Sequence, residues 1–438
     1  MTTPAPAREL AARVLERVWV DGAFAAASLD AEIGRLPRLD PRDAALATEL
    51  VYGVLRTQAA LEARVDAHAK RRGWAQDPLV RAHVLMGVYA LAFLDRVPTF
   101  AAVSEAVLGV SARDAKVSGF VNALLRKIAD EPRKGSLEDA IAASAPGWLR
   151  GALRRSIGRA GAASYLAAGP VPPPLGLAVA DASTREAWRE RIAAATPNAT
   201  VELGVVSPHA LLLRGAGDAR RLPGAFEAWI PQEEGAQVVA LAVGARPGER
   251  VLDACAGRGN KAWLIAEAVG PAGAVDAADL HAHKLDEARA LGAGARVRAT
   301  YATDWTRGPG DVPEGYDRVL IDAPCSGVGT LRRRPEIAEK RSPEDVARLA
   351  ELQATIGRAA ATRAKVGGAV VFAVCSVLTE ECEDVVARLL EPSPGLVLKP
   401  AALSGPAAAL SGAGASLQLL PHVHGTDGYF VACFKRAR

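Results

Sequence analysis

Asp317-Arg318-Val319-Leu320-Ile321-Asp322-Ala323-Pro324-Cys325-Ser326-Gly327, continued by Val328-Gly329-Thr330-Leu331-Arg332-Arg333-Arg334-Pro335, is the stretch on which the fold turns. Val319, Leu320 and Ile321 form a continuous apolar run, as a parallel strand covered on both faces requires, and Gly327 and Gly329 loosen the backbone into a loop behind it. The strand therefore ends on a carboxylate and then a cysteine. In open α/β sheets ligands sit at the carboxyl ends of strands, so this loop is the first candidate for an active site.

Outward from it, strand and helix patterns alternate. Strands are expected near 250–255, 274–279, 297–303, 317–322 and 368–374, with helices between them, and this order predicts a doubly wound parallel sheet. A helix is expected near 234–243. Another spans 343–364, with Ser342 as N-cap, Pro343 at the first helical position and Asp345 three residues past the cap. Leu417 to Leu420 and Gly428 to Phe434 read as a closing strand pair. Upstream, residues 5 to about 130 carry only helical periodicity: Leu10, Val14, Leu15 and Val18 share a face, and like patterns recur over 43–56, 78–95 and 100–128. Residues 129–145, with Pro132 and Gly135, predict a linker, and Gly169-Pro170-Val171-Pro172-Pro173-Pro174 a second punctuation. Between that and residue 228, a short strand from Leu175, a helix over 183–195 and apolar runs near 200–206 and 209–214 predict a small α+β module. The chain is thus expected to be multidomain: an all-α domain over 1–135, the α+β module over 145–228 and an α/β Rossmann-like domain over 229–438.

Composition narrows the class without naming a function. The chain has 438 residues, 50% of them hydrophobic and 23% charged, ordinary values for a globular protein. The apolar stretch around Val84 to Leu94 is too short to cross a bilayer, and Arg8 and Glu9 fall where a signal peptide needs an apolar core. No membrane association and a cytoplasmic location are expected. The five cysteines (255, 325, 375, 382 and 433) are odd in number and unevenly spaced, which fits reduced thiols better than a disulfide framework. His281 and His283, two apart, would point to different faces of a helix, so no metal is expected. With ten lysines, 43 of the 53 basic residues are arginine, which fits a high-GC coding bias as well as RNA contact. The local cluster Arg332 to Arg334 is the better indicator: it either meets phosphate, stabilises the active loop or lies solvated in a loop.

Val251-Leu252-Asp253-Ala254-Cys255-Ala256-Gly257-Arg258-Gly259-Asn260-Lys261 reads as a strand running through a glycine loop into a helix. Asp279, at the end of the next strand, is placed to accept bonds from ribose hydroxyls, a pattern that serves NAD or S-adenosylmethionine equally. Asp304 after the third strand, suited to an adenine edge, and the reactive cysteine loop after the fourth favour methyl transfer. Asp279 and Asp304 could instead cap the helices that follow, and Cys255 reads as a small buried residue as much as a ligand contact.

A second cysteine ends a strand: Gly368-Ala369-Val370-Val371-Phe372-Ala373-Val374 leads into Cys375-Ser376. Such a pair has a chemical use. C5 of cytosine is a weak nucleophile, but adding a thiolate to C6 makes C5 enamine-like and able to attack a sulfonium methyl group; loss of the C5 proton then lets the thiol leave. One cysteine attacks and another group assists release.

On these motifs, together with Arg332-Arg333, the Asp253-Ala254-Cys255-Ala256 strand and the closing His424-Gly425-Thr426-Asp427-Gly428-Tyr429-Phe430, the chain resembles the Sun/Nop family of RNA cytosine-5 methyltransferases over 229–438. The blocks Arg42 to Leu46, Glu49 to Arg56, Val103 to Val107 and Gly119 to Lys127 resemble NusB-like RNA-binding domains. The resemblance implies an RRM-like middle module, S-adenosyl-L-methionine as cofactor and 16S ribosomal RNA as substrate, acted on by a monomer without metal. It makes Cys375 the nucleophile, Cys325 the residue assisting release and Asp322 a neighbour of both cytosine and methyl donor. Cys255, Ala256, Gly257, Arg258, Gly259, Asn260, Lys261, Asp279, Asp304 and Asp322 would hold the cofactor. The sequence departs from the family pattern in three places: Gly257-Arg258-Gly259-Asn260-Lys261-Ala262 stands for Ala-Pro-Gly-Gly-Lys-Thr, Val374 for Thr, and Leu177-Ala178-Val179 for Arg-Val-Asn. Two other functions stay open, an RNA-binding assembly protein that has lost the cofactor and a class I methyltransferase of another target. DNA cytosine-5 enzymes attack with a Pro-Cys thiol, which would instead make Cys325 the nucleophile.

Overall fold

Successive side chains on a strand point to opposite faces of a sheet. In the computed structural model of the protein, which describes residues 5–69, 72–132, 135–169, 171–291 and 297–438, Val319 and Ile321 enter one apolar layer and Leu320 the other. All three are fully buried. One layer includes the helices Glu234–Ala242 and Asn260–Val269, the other Pro343–Ala361 and Glu383–Leu390. Helices on both faces are what a parallel sheet needs. The helix Pro343–Ala361 begins as expected, with Ser342 and Asp345 forming a reciprocal capping box.

Two compact units share the chain. The larger contains both sheets. β1 (Leu175–Val179), β2 (Thr200–Leu203), β3 (Ala210–Arg214) and β4 (Trp229–Pro231) form an antiparallel sheet in the order β2-β3-β1-β4. The helix Arg185–Ala195 contributes Ile192 to the core of this RRM-like module. The second sheet is formed by β5 (Arg250–Asp253), β6 (Ala274–Asp279), β7 (Ala299–Ala302), β8 (Tyr316–Asp322), β9 (Ala364–Val374), β10 (Leu398–Pro400), β11 (Ser416–Leu419) and β12 (Tyr429–Arg436). Its order is β10-β12-β9-β8-β5-β6-β7, with β11 on β12. β5 to β9 run parallel, whereas β12 lies antiparallel to β9, so the Rossmann-like sheet is mixed rather than wholly parallel. This order sets the carboxyl ends of β9, β8 and β5 side by side.

The helical unit comprises residues up to Arg154, Arg159–Pro172 and Leu331–Lys340. Leu10, Val14, Leu15 and Val18 of the first helix share its core with Leu50, Leu85 and Leu125. The pattern over 100–128 is two helices, Thr99–Arg113 and Ala115–Ala129, because Asp114 takes an extended conformation and its side chain accepts from the Lys116 amide, capping the second. The expected linker 129–145 contains a helix, Leu137–Ser144, started by a Ser136–Asp139 capping box. Pro170, part of the second punctuation, lies outside the described residues.

In segment Leu331–Lys340, of the three readings open for the arginine run, the solvated loop does not hold for Arg332, which is buried. Arg56 Nη2 donates to the Arg332 carbonyl at 2.8 Å, and buried Glu336 accepts from the Ala25 amide at 3.0 Å. Lys340 donates to the Gly22 carbonyl at 2.6 Å and lies 4.7 Å from the ring centre of Phe24. Arg334 alone of the three arginines is exposed. Among the described residues no helix is long and apolar enough to cross a membrane.

Candidate active site

The register between β8 and β9 pairs Asp322 with Ala373. Cys325, three residues beyond Asp322, and Cys375, two beyond Ala373, therefore emerge together at the same end of the sheet. Their Sγ atoms lie 3.3 Å apart, a thiol–thiol contact and not a disulfide. The hydrogen bond to Cys375, and then burial, push the Cys325 thiol well above its ordinary pKa. Either sulfur can donate across this contact, and the upward shift favours Cys325 as the one that keeps its proton. Gly329 donates to the Cys375 carbonyl at 3.0 Å, and its Cα approaches Gly428 so closely that an added Cβ would stand 2.0 Å from the Gly428 carbonyl oxygen. No other residue fits at 329 without displacing backbone.

Neighbouring β5 places the other wall. Lys261, in the first turn of the helix Asn260–Val269, reaches across to Asp322 at 2.5 Å. Burial disfavours the Lys261 charge, but Asp322 outweighs it and the ammonium is held more firmly than usual. Asp253 is buried, and neither of its oxygens has a hydrogen-bond partner; the Cys255 amide is near but not aligned. Burial raises Asp253 to about 7, against the pull of Lys261 and with the push of Asp322. Asp253, Cys255, Ala256, Arg258, Asn260, Lys261 and Asp322 enclose a cavity of about 250 Å³.

The glycine loop is held open by its own geometry. Gly257 has φ +53° with open space where a Cβ would go, and Gly259 has φ +83°, both in the left-handed region that favours glycine. Asp279 braces this loop: Oδ2 accepts from the Gly257 amide at 3.0 Å, while Oδ1 accepts from the His281 amide at 2.9 Å. Arg258 turns outward to Glu287 at 3.0 Å, and the Asn260 side chain donates to the Pro231 carbonyl. Asp304 does not line the cavity; its carboxylate accepts from the Thr306 amide and hydroxyl and caps the turn Trp305–Arg307. Burial pushes the Cys255 thiol well up, which makes it inert.

Three residues escaped the sequence reading. Gln353 and Glu381 are fully buried, and Ser326 nearly so. Glu381 accepts from the Ser326 amide at 2.7 Å and hydroxyl at 2.5 Å, and Gln353 Nε2 donates to Glu381 at 3.1 Å and to the Pro324 carbonyl at 3.0 Å. A signal existed for one: Val346, Leu349, Ala350, Gln353, Ala354 and Gly357 follow helical spacing, so Gln353 is an amide on a core face. Among the described residues no group of histidines, cysteines and carboxylates could hold a metal.

A donorless buried carboxylate facing a cavity, a ribose-height carboxylate on β6 and a glycine loop with open space fit a ligand bearing ammonium and hydroxyl groups. Fold and site together define a class I S-adenosylmethionine-dependent methyltransferase. The family described as 16S rRNA methyltransferase RsmB/F matches residues 240–435, and the NusB family matches residues 5–130. The chain is 32% identical to "Probable ribosomal RNA small subunit methyltransferase B" of Synechocystis, covering 98% of this chain and 99% of that protein. It is also 32% identical to ribosomal RNA small subunit methyltransferase B of Salmonella paratyphi B, covering 89% and 91%. The solved structure of PH0851 superposes with a TM-score of 0.79 at 20% identity over 99% of this chain and all of that one. NSun6 from Pyrococcus horikoshii, solved with SFG, gives 0.55 at 17% identity over 67% and 98%. The chain belongs to the RsmB/F family of ribosomal RNA methyltransferases, with a NusB-like domain in front.

Proposed function

We propose that the protein transfers a methyl group to C5 of a cytosine in 16S ribosomal RNA through a covalent adduct between Cys375 and C6. The observation that carries this reading is the pair of free thiols, 3.3 Å apart at the ends of adjacent parallel strands, beside the Lys261–Asp322 pair. A methyltransferase acting on a nitrogen or oxygen has no use for two thiols there. S-adenosylmethionine supplies a sulfonium-bound, electrophilic methyl group when bound. Cys255 to Lys261 with Asp279 and Asp322 would hold it, Asp279 keeping the glycine loop open and Asp253 offering an unpartnered carboxylate, while Asp304 stays with the turn it caps.

In this mechanism the Cys375 thiolate adds to C6, forming the C–S bond and moving electron density to C5, which takes the methyl group. Cys325, donating its S–H, and Lys261, whose charge is close enough to feel a Cys375 thiolate, both favour the ionised nucleophile. After methylation a base, water admitted to the site, takes the C5 proton, the C–H electrons re-form the C5–C6 double bond, and the C6–S pair leaves with Cys375 as thiolate. Cys325 assists that release, and Asp322 stands beside the base. The cytosine must be unpaired or extruded for its C6 to meet the thiol.

The reading also assigns RNA binding to a domain over 1–135, an RRM-like module to 145–228 and catalysis to 229–438, in a cytoplasmic, metal-free monomer. Bisulfite sequencing of ribosomal RNA from cells with and without the protein tests the target; an unchanged map of methylated cytosines removes it. With purified protein, Cys375→Ala is expected to form no protein–RNA adduct and to lose at least about a thousandfold in rate, while Cys325→Ala accumulates adduct. The reverse pattern would make Cys325 the nucleophile.

A further inference from the structure

The buried hydrogen bonds around Glu381 are not used by the chemistry just described, and they hold the two peptide groups that flank Cys325. Gln353 Nε2 binds the carbonyl of Pro324, immediately before Cys325, and Glu381 binds the amide of Ser326, immediately after it. The Ser326 hydroxyl adds a second contact to Glu381, and Arg341 Nε donates to the Ser326 carbonyl at 3.1 Å. Cys325 is therefore pinned on both flanks by side chains from two other elements, the helix Pro343–Ala361 and the turn Thr379–Glu381 that follows Cys375.

Glu381 also brings charge. It is fully buried, and among the described residues no cation pairs with it; its stabilisation comes from the three donors of Ser326 and Gln353. A buried carboxylate held only by neutral donors is costly, and a neutral side chain could satisfy most of the same geometry. What a neutral side chain could not do is impose a negative potential on the neighbouring thiol, and Glu381 is among the groups that raise Cys325.

We propose that Glu381, with Gln353 and Ser326 as its partners, is a positioning residue that fixes Cys325 as a neutral thiol facing Cys375. It touches neither substrate nor cofactor. Its hydrogen bonds set the distance between the two sulfurs, and its charge keeps the proton on Cys325 so that Cys375 is the sulfur that ionises. The assignment rests on the division of labour proposed above only for its kinetic consequence; the effect on the Cys325 proton stands without it.

Two measurements on the full-length protein test this. The first follows the rate of iodoacetamide alkylation at Cys325 and Cys375 separately, by peptide mass mapping across pH, in wild type, Glu381→Gln and Ser326→Ala. In Glu381→Gln, which keeps the shape and removes the charge, the Cys325 profile is expected to move down by about one pH unit, an approximately tenfold faster alkylation near pH 8. Ser326→Ala, which leaves the charge and removes one donor, should shift it little or upward. A Cys325 profile unmoved in Glu381→Gln would overturn the electrostatic role, because a purely structural glutamate would leave the thiol's proton where it was. The second measurement follows steady-state protein–RNA adduct with S-adenosylmethionine present. Glu381→Ala is expected to accumulate adduct several-fold above wild type, in the direction of Cys325→Ala, with Glu381→Gln intermediate. If Cys325→Ala accumulates adduct and Glu381→Ala does not, the positioning role fails while the proposed function stands. If Cys325→Ala itself accumulates none, the proposed function fails and the alkylation profile alone decides for Glu381. Should Glu381→Ala not fold, Glu381→Gln and Ser326→Ala carry both measurements.

Discussion

The loop that carries Cys325 and the loop that carries Gly257 leave neighbouring strands, β8 and β5, at the same end of one sheet, yet they are fixed by different means. The cysteine loop is pinned from outside itself, by buried side chains of Gln353 and Glu381 on its backbone and by the close approach of Gly428. The glycine loop depends on left-handed backbone at Gly257 and Gly259 and on one carboxylate, Asp279, with Arg258 turned to the surface. The first arrangement holds a thiol to a fixed place; the second keeps backbone amides accessible to a ligand. A strand end can thus be made rigid or receptive by what meets the loop behind it.

The largest effect that would sharpen this contrast is expected at Asp253. Burial raises its folded pKa from 3.8 to about 7, so the folded chain binds that proton more tightly than the unfolded chain. The resulting stability is complete below about pH 4 and is lost as pH rises to about 7. Asp253→Asn, which needs no proton, should leave stability near pH 4 unchanged and raise it at pH 8 by an amount on the order of a few kcal/mol, each pKa unit being about 1.4 kcal/mol. Urea unfolding at both pH values measures this, and equal stabilities at pH 8 would show that the carboxylate is better solvated than its surroundings allow.

Gly259→Ala comes next. Its Cβ would lie 2.7 Å from that of Ala288, at a positive φ, so a loss of about 1–3 kcal/mol is expected together with weaker S-adenosylmethionine binding by calorimetry. A variant that keeps both would mean the glycine loop is more pliable than its backbone angles imply. The smallest effect belongs to Arg258→Ala. The Arg258–Glu287 pair is largely exposed, at 73% and 48% of its two side chains, and its removal should change stability by less than about 0.5 kcal/mol. A large loss of cofactor affinity in that variant would instead move the guanidinium from Glu287 onto the ligand and narrow the difference between the two loops.

Much of this was legible in the sequence because both faces of the sheet are covered. The runs at 251–252, 319–321 and 370–374 had to be apolar throughout, and the two cysteines could be placed by counting from strand ends. Short or tertiary features were not legible. β4 has three residues, Trp229–Pro231, and exists through its pairing with β1. Asp114 breaks an otherwise continuous helical pattern because an aspartate can cap a helix as readily as sit on its solvent face. Gln353 and Glu381 lie 29 and 55 residues from the loop positions they hold, and a polar residue on a helix or turn reads as solvated until its neighbours are known. Asp304 shows the converse: its position after β7 suited a ligand, and the carboxylate caps a turn.

The ten residues Leu331–Lys340 interrupt the methyltransferase sequence between Cys325 and the helix that bears Gln353, yet by their contacts they belong to the helical unit. Linear order and structural membership therefore disagree, and the protein cannot be dissected by a single cut. A fragment beginning at residue 229 keeps Glu336 and Lys340 while discarding Ala25 and Gly22, so both side chains lose the backbone partners they hold in the full chain. Exchanging the NusB-like domain for another would therefore mean rewriting those ten residues as well.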